Sequence, residues 1–189
     1  MARWTFEPGH TAAEFCVRHM MVTWVRGHFK NVQGIMEFDP DNPASASVEV
    51  IIDAKNIWTG EADRDAHLRS ADFLDAENNS QITFKSSKVE QTGCSSFRVT
   101  GDLTIRGVTR PAKLEVDYLG QWQTPFWVGN VDKGPMTRAG FIARTVINRH
   151  DFGVSWNAPL ENRGVVVGED VQITIDVEAL LEKERKSLR

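Results

Sequence analysis

Apolar and polar residues change places one for one through run after run of this chain, and period-two alternation of that kind is the pattern of strands buried on one face. Ala46, Val48, Val50, Ile52 and Ala54 fall on one side of the clearest early run, with Ser47, Glu49 and Asp53 on the other. The same pattern returns in Phe97, Val99, Gly101, Leu103 and Ile105, in Ala112, Leu114, Val116 and Tyr118, in Thr137, Ala139, Phe141, Ala143, Thr145 and Ile147, and in Val171, Ile173, Ile175 and Val177. Nearer the start, Trp4 and Phe6 precede a turn at Pro8-Gly9, after which Ala13, Phe15, Val17 and His19 oppose Glu14, Cys16 and Arg18. Residues 20–25 interrupt the pattern, and His28 to Phe38 resumes it with Gly34 read as a bulge or bend. The strand opened by Ile82 and Phe84 changes parity near Ser86-Ser87, which predicts a second bulge. Turn chemistry at Asp39-Pro40-Asp41-Asn42-Pro43, Thr92-Gly93 and Gly107 separates the runs.

These runs amount to about eight antiparallel strands, close to the number at which a sheet closes on itself and leaves room for side chains or one small ligand. The expected fold is all-β, an up-and-down antiparallel barrel with one short helix capping or flanking it. A two-sheet sandwich is the alternative, since short strands with polar turns signal both. The exception to the alternation is Arg64 to Ser87, whose spacing is helical at first: Asp63/His67 and Asp65/Arg69 are i,i+4 pairs, and Thr59 or Asp63 can cap the start. A helix of about two turns is not stable alone, so it must lie on the sheet. Leu68, Phe73 and Leu74 either plug the rim or fill an ordinary corner of the core. Residues 121–136 lack periodicity and read as a long loop carrying Trp122, Phe126 and Trp127; residues 149–164 read as a long connection.

The 189 residues suffice for one core, and the expected domain spans 1–181, followed by a charged, solvated tail at 182–189. With net charge −4 there is no basic surplus to neutralise phosphates, so nucleic acid is excluded as a partner. No apolar run reaches membrane-span length, and none near the start has signal-peptide form. Cys16 and Cys94 lack CxxC spacing and read as free thiols in a reducing compartment, which gives a cytoplasmic protein as the expectation. The five histidines, His10, His19, His28, His67 and His150, show neither HxH nor HExxH spacing, so no metal or other cofactor is expected. There is no GxSxG elbow, and neither thiol carries a nucleophile's signature, so the chain does not read as an enzyme.

Several blocks taken together resemble one family. HTAAEFCVRHMMVTWVRGHF at 10–29, RDAHLRSADFLD at 64–75, ITFKSSKVE at 82–90, GDLTIRGVTRPAKLEV at 101–116, TRAGFIARTVINRHDFGVSWN at 137–157 and GEDVQITIDVE at 168–178 are similar to the YceI-like family of polyisoprenoid-binding, lipocalin-like proteins. The resemblance implies a lipocalin-like barrel around a long apolar pocket holding an isoprenoid or similar lipid, often in a homodimer. The chain departs from the family in lacking the common proline in 77–80 and in the aromatic 121–136 segment, and it shows no export signal although many relatives are exported.

The residues support a hollow interior independently. Ala46, Ala54, Gly101, Ala112, Ala139, Ala143 and Thr145 are small for inward positions that must otherwise be filled to interior density, although alternation of small and large residues also serves to fit the taper of a small barrel. The expected ligand-binding wall comprises Phe15, Val17, Phe29, Phe84, Leu103, Val116, Ala139, Phe141, Ala143 and Ile147. His19, Arg64, His67 and Arg149 are the candidates for a head-group site at the mouth, the alternative being structural pairs such as Arg149 with Asp151. The functional reading is non-enzymatic storage or transport of a polyisoprenoid or isoprenoid-quinone-like lipid. An enzyme acting on a lipid-like substrate in the same cavity and a filled barrel serving protein interaction are the alternatives.

Overall fold

The structure is a computed structural model that describes residues 1–160 and 164–182. Its strands are β1 (Ala2–Phe6), β2 (Ala12–His19), β3 (Thr23–Phe29), β4 (Gln33–Phe38), β5 (Ser47–Asp53), β6 (Ile57–Trp58), β7 (Gln81–Gln91), β8 (Ser96–Ile105), β9 (Val108–Thr124), β10 (Trp127–Val128), β11 (Val131–Asp132), β12 (Met136–Asn148) and β13 (Val167–Leu181). The single α-helix, α1, spans Ala62–Arg69.

Eight strands in the order β1-β4-β5-β7-β8-β9-β12-β13 form an antiparallel barrel, and β13 closes it by pairing back onto β1. That closure rules out the two-sheet sandwich. One hairpin departs from simple up-and-down order. β1 and β2 lie end to end along the same edge of β13, with Phe6 opposite Ala179 and Ala12 opposite Asp176, separated by the expected turn at Pro8-Gly9. β1 then passes to β4, whereas β2 passes to β3 and β3 to β6, continuing the wall at the other end.

The parity read from the sequence holds along most strands, including the register shift between Ser86 and Lys88. Three readings are corrected. The run from His28 to Phe38 is two strands, broken at Asn31, whose φ of 57° lies in the left-handed region that asparagine tolerates. Gly34 is no bulge: β4 pairs straight through it, and a Cβ there would collide with the Phe6 ring. Residues 121–136 are not a loop, because β9 and β12 continue as a ladder out to Thr124 opposite Met136, tipped by the β10–β11 hairpin. This extension has no buried face, with Trp122 and Trp127 60% and 58% exposed, so no burial alternation marks it in the sequence.

The helix has about the two turns expected of it but is capped by a different residue. Glu61 accepts from the backbone N–H groups of Asp63 and Arg64, while Thr59 donates its N–H and hydroxyl to buried Asp65 at 2.8 and 2.5 Å. The anticipated i,i+4 pairs give way to longer-range partners: His67 meets Asp72 at 2.9 Å, and Arg69 donates to the Ile57 carbonyl. Most of the charged tail lies outside the described residues. Its first residue is not simply solvated, since the Glu182 N–H donates to the Arg3 carbonyl and its carboxylate accepts from Thr5.

Candidate functional site

Inward-facing residues of all eight barrel strands enclose a cavity of about 270 Å³, at the lower edge of the roughly 300–1,000 Å³ usual for small-molecule sites. Its wall is apolar except at five positions. Glu14, Ser47 and Thr83 reach the lining from outward-parity positions, so only Thr145 and Arg149 bring polar atoms from the inward set.

The two ends are built differently. Toward Trp4, which is 2% exposed, Phe38 packs against Phe97, Tyr118 and Phe141 with ring centroids 6.2, 5.1 and 5.2 Å apart. Burial raises the pKa of the Tyr118 phenol. At the opposite end Leu68 of α1 and Phe73 and Leu74 of the following turn face the cavity beside Phe152 and Val154 and also pack into the core. Arg149, 4% exposed, fastens this cap. Its Nε donates to the Gly168 carbonyl, Nη1 to those of Val154 and Trp156, and Nη2 to that of Val167, at 2.7–3.2 Å. Burial lowers the pKa of this guanidinium, and the charge of Glu169 opposes the shift.

Nine of the ten residues expected on the wall line the cavity: Phe15, Val17, Phe29, Phe84, Leu103, Val116, Phe141, Ala143 and Ile147. Ala139 does not. It has the right parity but sits one step beyond Phe141, behind the ring plug, buried opposite Ala179. Gly101 leaves no spare room either, since the Phe84 ring and the Lys85 carbonyl occupy the place of its Cβ. Val48, Val50, Val99, Leu114, Ile175 and Val177 also line the cavity. Their alternation put them on the same faces, and that signal was sufficient to include them.

The four residues proposed for the mouth do not form a ring of free donors. Arg64 Nε and Nη2 are held by the hydroxyl and carbonyl of Thr59. His67 is bonded to Asp72 and packs edge-on between Phe73 and Trp156 at 5.0 and 4.8 Å. Arg149 spends its donors on four carbonyls, not on Asp151. His19 ends β2 opposite Val167 and does not line the cavity. Among the described residues, one histidine–carboxylate group has ligand-capable atoms within 4.8 Å of one another: Glu7, His10 and Glu178. Arg138 Nη1 already holds Glu178 Oε1, and His10 Nδ1 lies 2.9 Å from Glu7 Oε2, so the group is built as an ion-pair network. Cys16 and Cys94 are both free, half-buried and exposed respectively.

A match to the YceI-like domain covers residues 4–179. The chain belongs to the YceI-like family. Protein YceI of Escherichia coli O157:H7 is 36% identical over 94% of this chain and 85% of its own length. Among solved structures, Burkholderia cenocepacia BcnA superposes with a TM-score of 0.74 at 23% identity, covering 92% of this chain and 98% of its own. A Saccharophagus degradans domain described as polyisoprenoid binding superposes with a TM-score of 0.64 at 12% identity, covering 96% of this chain and all of its own. Both share the fold of this YceI-like barrel.

Proposed function

We propose that the barrel binds the chain of a long apolar lipid, a polyisoprenoid or isoprenoid-quinone-like molecule, and stores or carries it without chemical change. The observation that carries this reading is the interior itself, a cavity whose inward wall is apolar except for Thr145 and the fully engaged Arg149. Affinity for such a chain comes from apolar area removed from water, about 25 cal/mol for each Å², and needs no directed bond along its length. The polyisoprenoid-binding description of the Saccharophagus domain supports the same ligand class. A non-enzymatic role fits a lining that, among the described residues, contains no cysteine or histidine and pairs no hydroxyl with a base.

Two further parts of the proposal concern setting and assembly. Among the described residues no helix is long and apolar enough to cross a membrane. Two unbridged thiols suit a reducing compartment such as the cytoplasm. Exposed Leu119, Trp122, Trp127, Val128 and Val131 gather on the β9–β12 extension, and the partner assigned to them is a second copy of the chain. Light scattering at micromolar concentration should return twice the chain mass; a monomer there overturns the dimer.

Native mass spectrometry and solvent extraction of the purified protein test the main reading. A bound apolar chain, or uptake of an added prenyl lipid by the emptied protein, is the expected result. A barrel that is empty as purified and takes up none of the lipids offered overturns it.

A further inference from the structure

β9 and β12 pair from Thr124 opposite Met136 to Glu115 opposite Arg144, and no farther. Beyond that point each strand keeps its other neighbour: β12 stays on β13 to Asn148 opposite Asp170, and β9 stays on β8 to its first residue, Val108. Residues 108–114 and 145–148 therefore face one another across a seam with no ladder. Pro111 stands in this stretch, a residue without an N–H that suits a strand edge and not a ladder interior.

A surface cleft lies over the seam. Ala112, Thr145, Ile147 and Phe152 line both this cleft and the interior cavity, so one layer of side chains separates the two. Arg110 and Lys113 stand on the outer side of the cleft. Arg110 has the inward parity of Ala112 and Leu114 yet is exposed, which the open seam permits. Its one hydrogen bond runs from Nη1 to the neighbouring Thr109 carbonyl at 3.3 Å. Among the described residues, neither cation has a carboxylate within ion-pair distance, unlike the paired Arg98 and Arg144 on the same face of the barrel.

We propose that this seam is the lateral portal of the barrel, and that Arg110 and Lys113 hold an oxyanion at the head of the bound chain. The proposal rests on the apolar-ligand reading above and specifies its polar end. A charged head cannot be taken into the apolar interior without a partner. Aromatic rings fill one end and the segments held by Arg149 lie across the other, whereas at the seam a single layer of side chains stands between the cavity and the surface. There an arginine fork and a lysine ammonium, without an ion-pair partner among the described residues, match a phosphate-type group in sign and geometry.

Binding of geranylgeranyl phosphate and of geranylgeraniol, followed by calorimetry for the parent, Arg110→Gln, Lys113→Gln, the double variant and Arg26→Gln as an exposed control, tests the portal. The phosphate should bind the parent about tenfold tighter than the alcohol, an advantage that shrinks as salt screens the exposed charges. The double variant should erase that advantage and leave alcohol binding unchanged, while Arg26→Gln should alter neither. If the parent binds both probes equally, or the double variant keeps its preference for the phosphate, the portal assignment is overturned and the apolar-ligand reading stands. If the parent binds neither probe, the apolar-ligand reading falls, and the portal assignment falls with it.

Discussion

At the Trp4 end the barrel is filled by side chains, with Phe38, Phe97, Tyr118 and Phe141 packed edge-on or tilted against one another. At the helix end closure is the work of backbone, because one buried guanidinium gathers carbonyls from residues 154, 156, 167 and 168 and holds the connecting segments over the opening. The ring plug is non-directional and depends on filled volume. The carbonyl cage is directional and depends on four aligned donors. The first limits the length of the cavity, and the second holds the segments that lie across its other end.

The largest expected effect comes from Arg149→Met, which withdraws the buried guanidinium from four carbonyls, only that of Val167 keeping the Asn157 side-chain amide as a second donor, and should cost about 4 kcal/mol of unfolding free energy. Hydrogen exchange should rise in α1 and in 149–157 while the plug strands stay protected; uniform loss of protection would mean the two ends are not separate units. Phe38→Ala should cost about 3 kcal/mol in urea melts by opening a cavity among its ring partners. It should also let the barrel accept a longer prenyl chain, and an unchanged chain-length limit would show that the plug does not set it.

Midway between the ends, Ala143 lies opposite Val116 and Ile175. Ala143→Trp should cost about 1–3 kcal/mol and abolish lipid uptake with both closures intact; a folded variant that binds like the parent would show the chain does not pass this point. Ala139→Trp would probe the plug instead. Glu61→Ala removes the helix cap and should cost about 1 kcal/mol, read as a small drop in melting temperature. The subtlest test uses Tyr118, the one tyrosine in the chain. Burial raises its folded pKa above the ordinary 10.0, so its contribution to stability is complete below that value and is lost as pH rises through the folded pKa. Tyrosinate absorbance of the native protein should appear at higher pH than in the Phe38→Ala variant, and coincident curves would mean that the ring plug does not shield the phenol.

Strand existence and parity were legible because each barrel strand has one wet and one dry face, and a two-residue period records that directly. The interior of the wall followed from it, down to Phe84 and Ala143. Other features leave no such record. Ala139 has the periodicity of a cavity residue, and only the position of Phe38, Tyr118 and Phe141 along the barrel axis places it behind the plug. The pairing limit at Glu115 and Arg144 is invisible because residues on both sides of it keep alternating. Arg149 reads as a surface cation beside Asp151, and its four carbonyl partners are split between the irregular segment at Val154 and Trp156 and the first two residues of β13, which no local pattern brings together. The β9–β12 extension was missed for the opposite reason, since a ladder wet on both faces carries no dry-face signal.

Pairing of Trp4, Thr5 and Phe6 with Leu181, Leu180 and Ala179 makes the first strand of the chain wait for the last. During synthesis the early strands can form hairpins with their neighbours, but the ring has no lock until residue 181 has cleared the ribosome. Contacts of such sequence separation slow folding, because nearly the whole chain must be ordered before they form. Until then the interior faces of the open sheet are exposed to water, and an apolar chain that reaches them early is enclosed as the barrel shuts around it. For the lipid binding proposed above, loading during biogenesis is a route separate from entry into the finished barrel, and it would leave purified protein occupied by whatever lipid was at hand when β13 arrived.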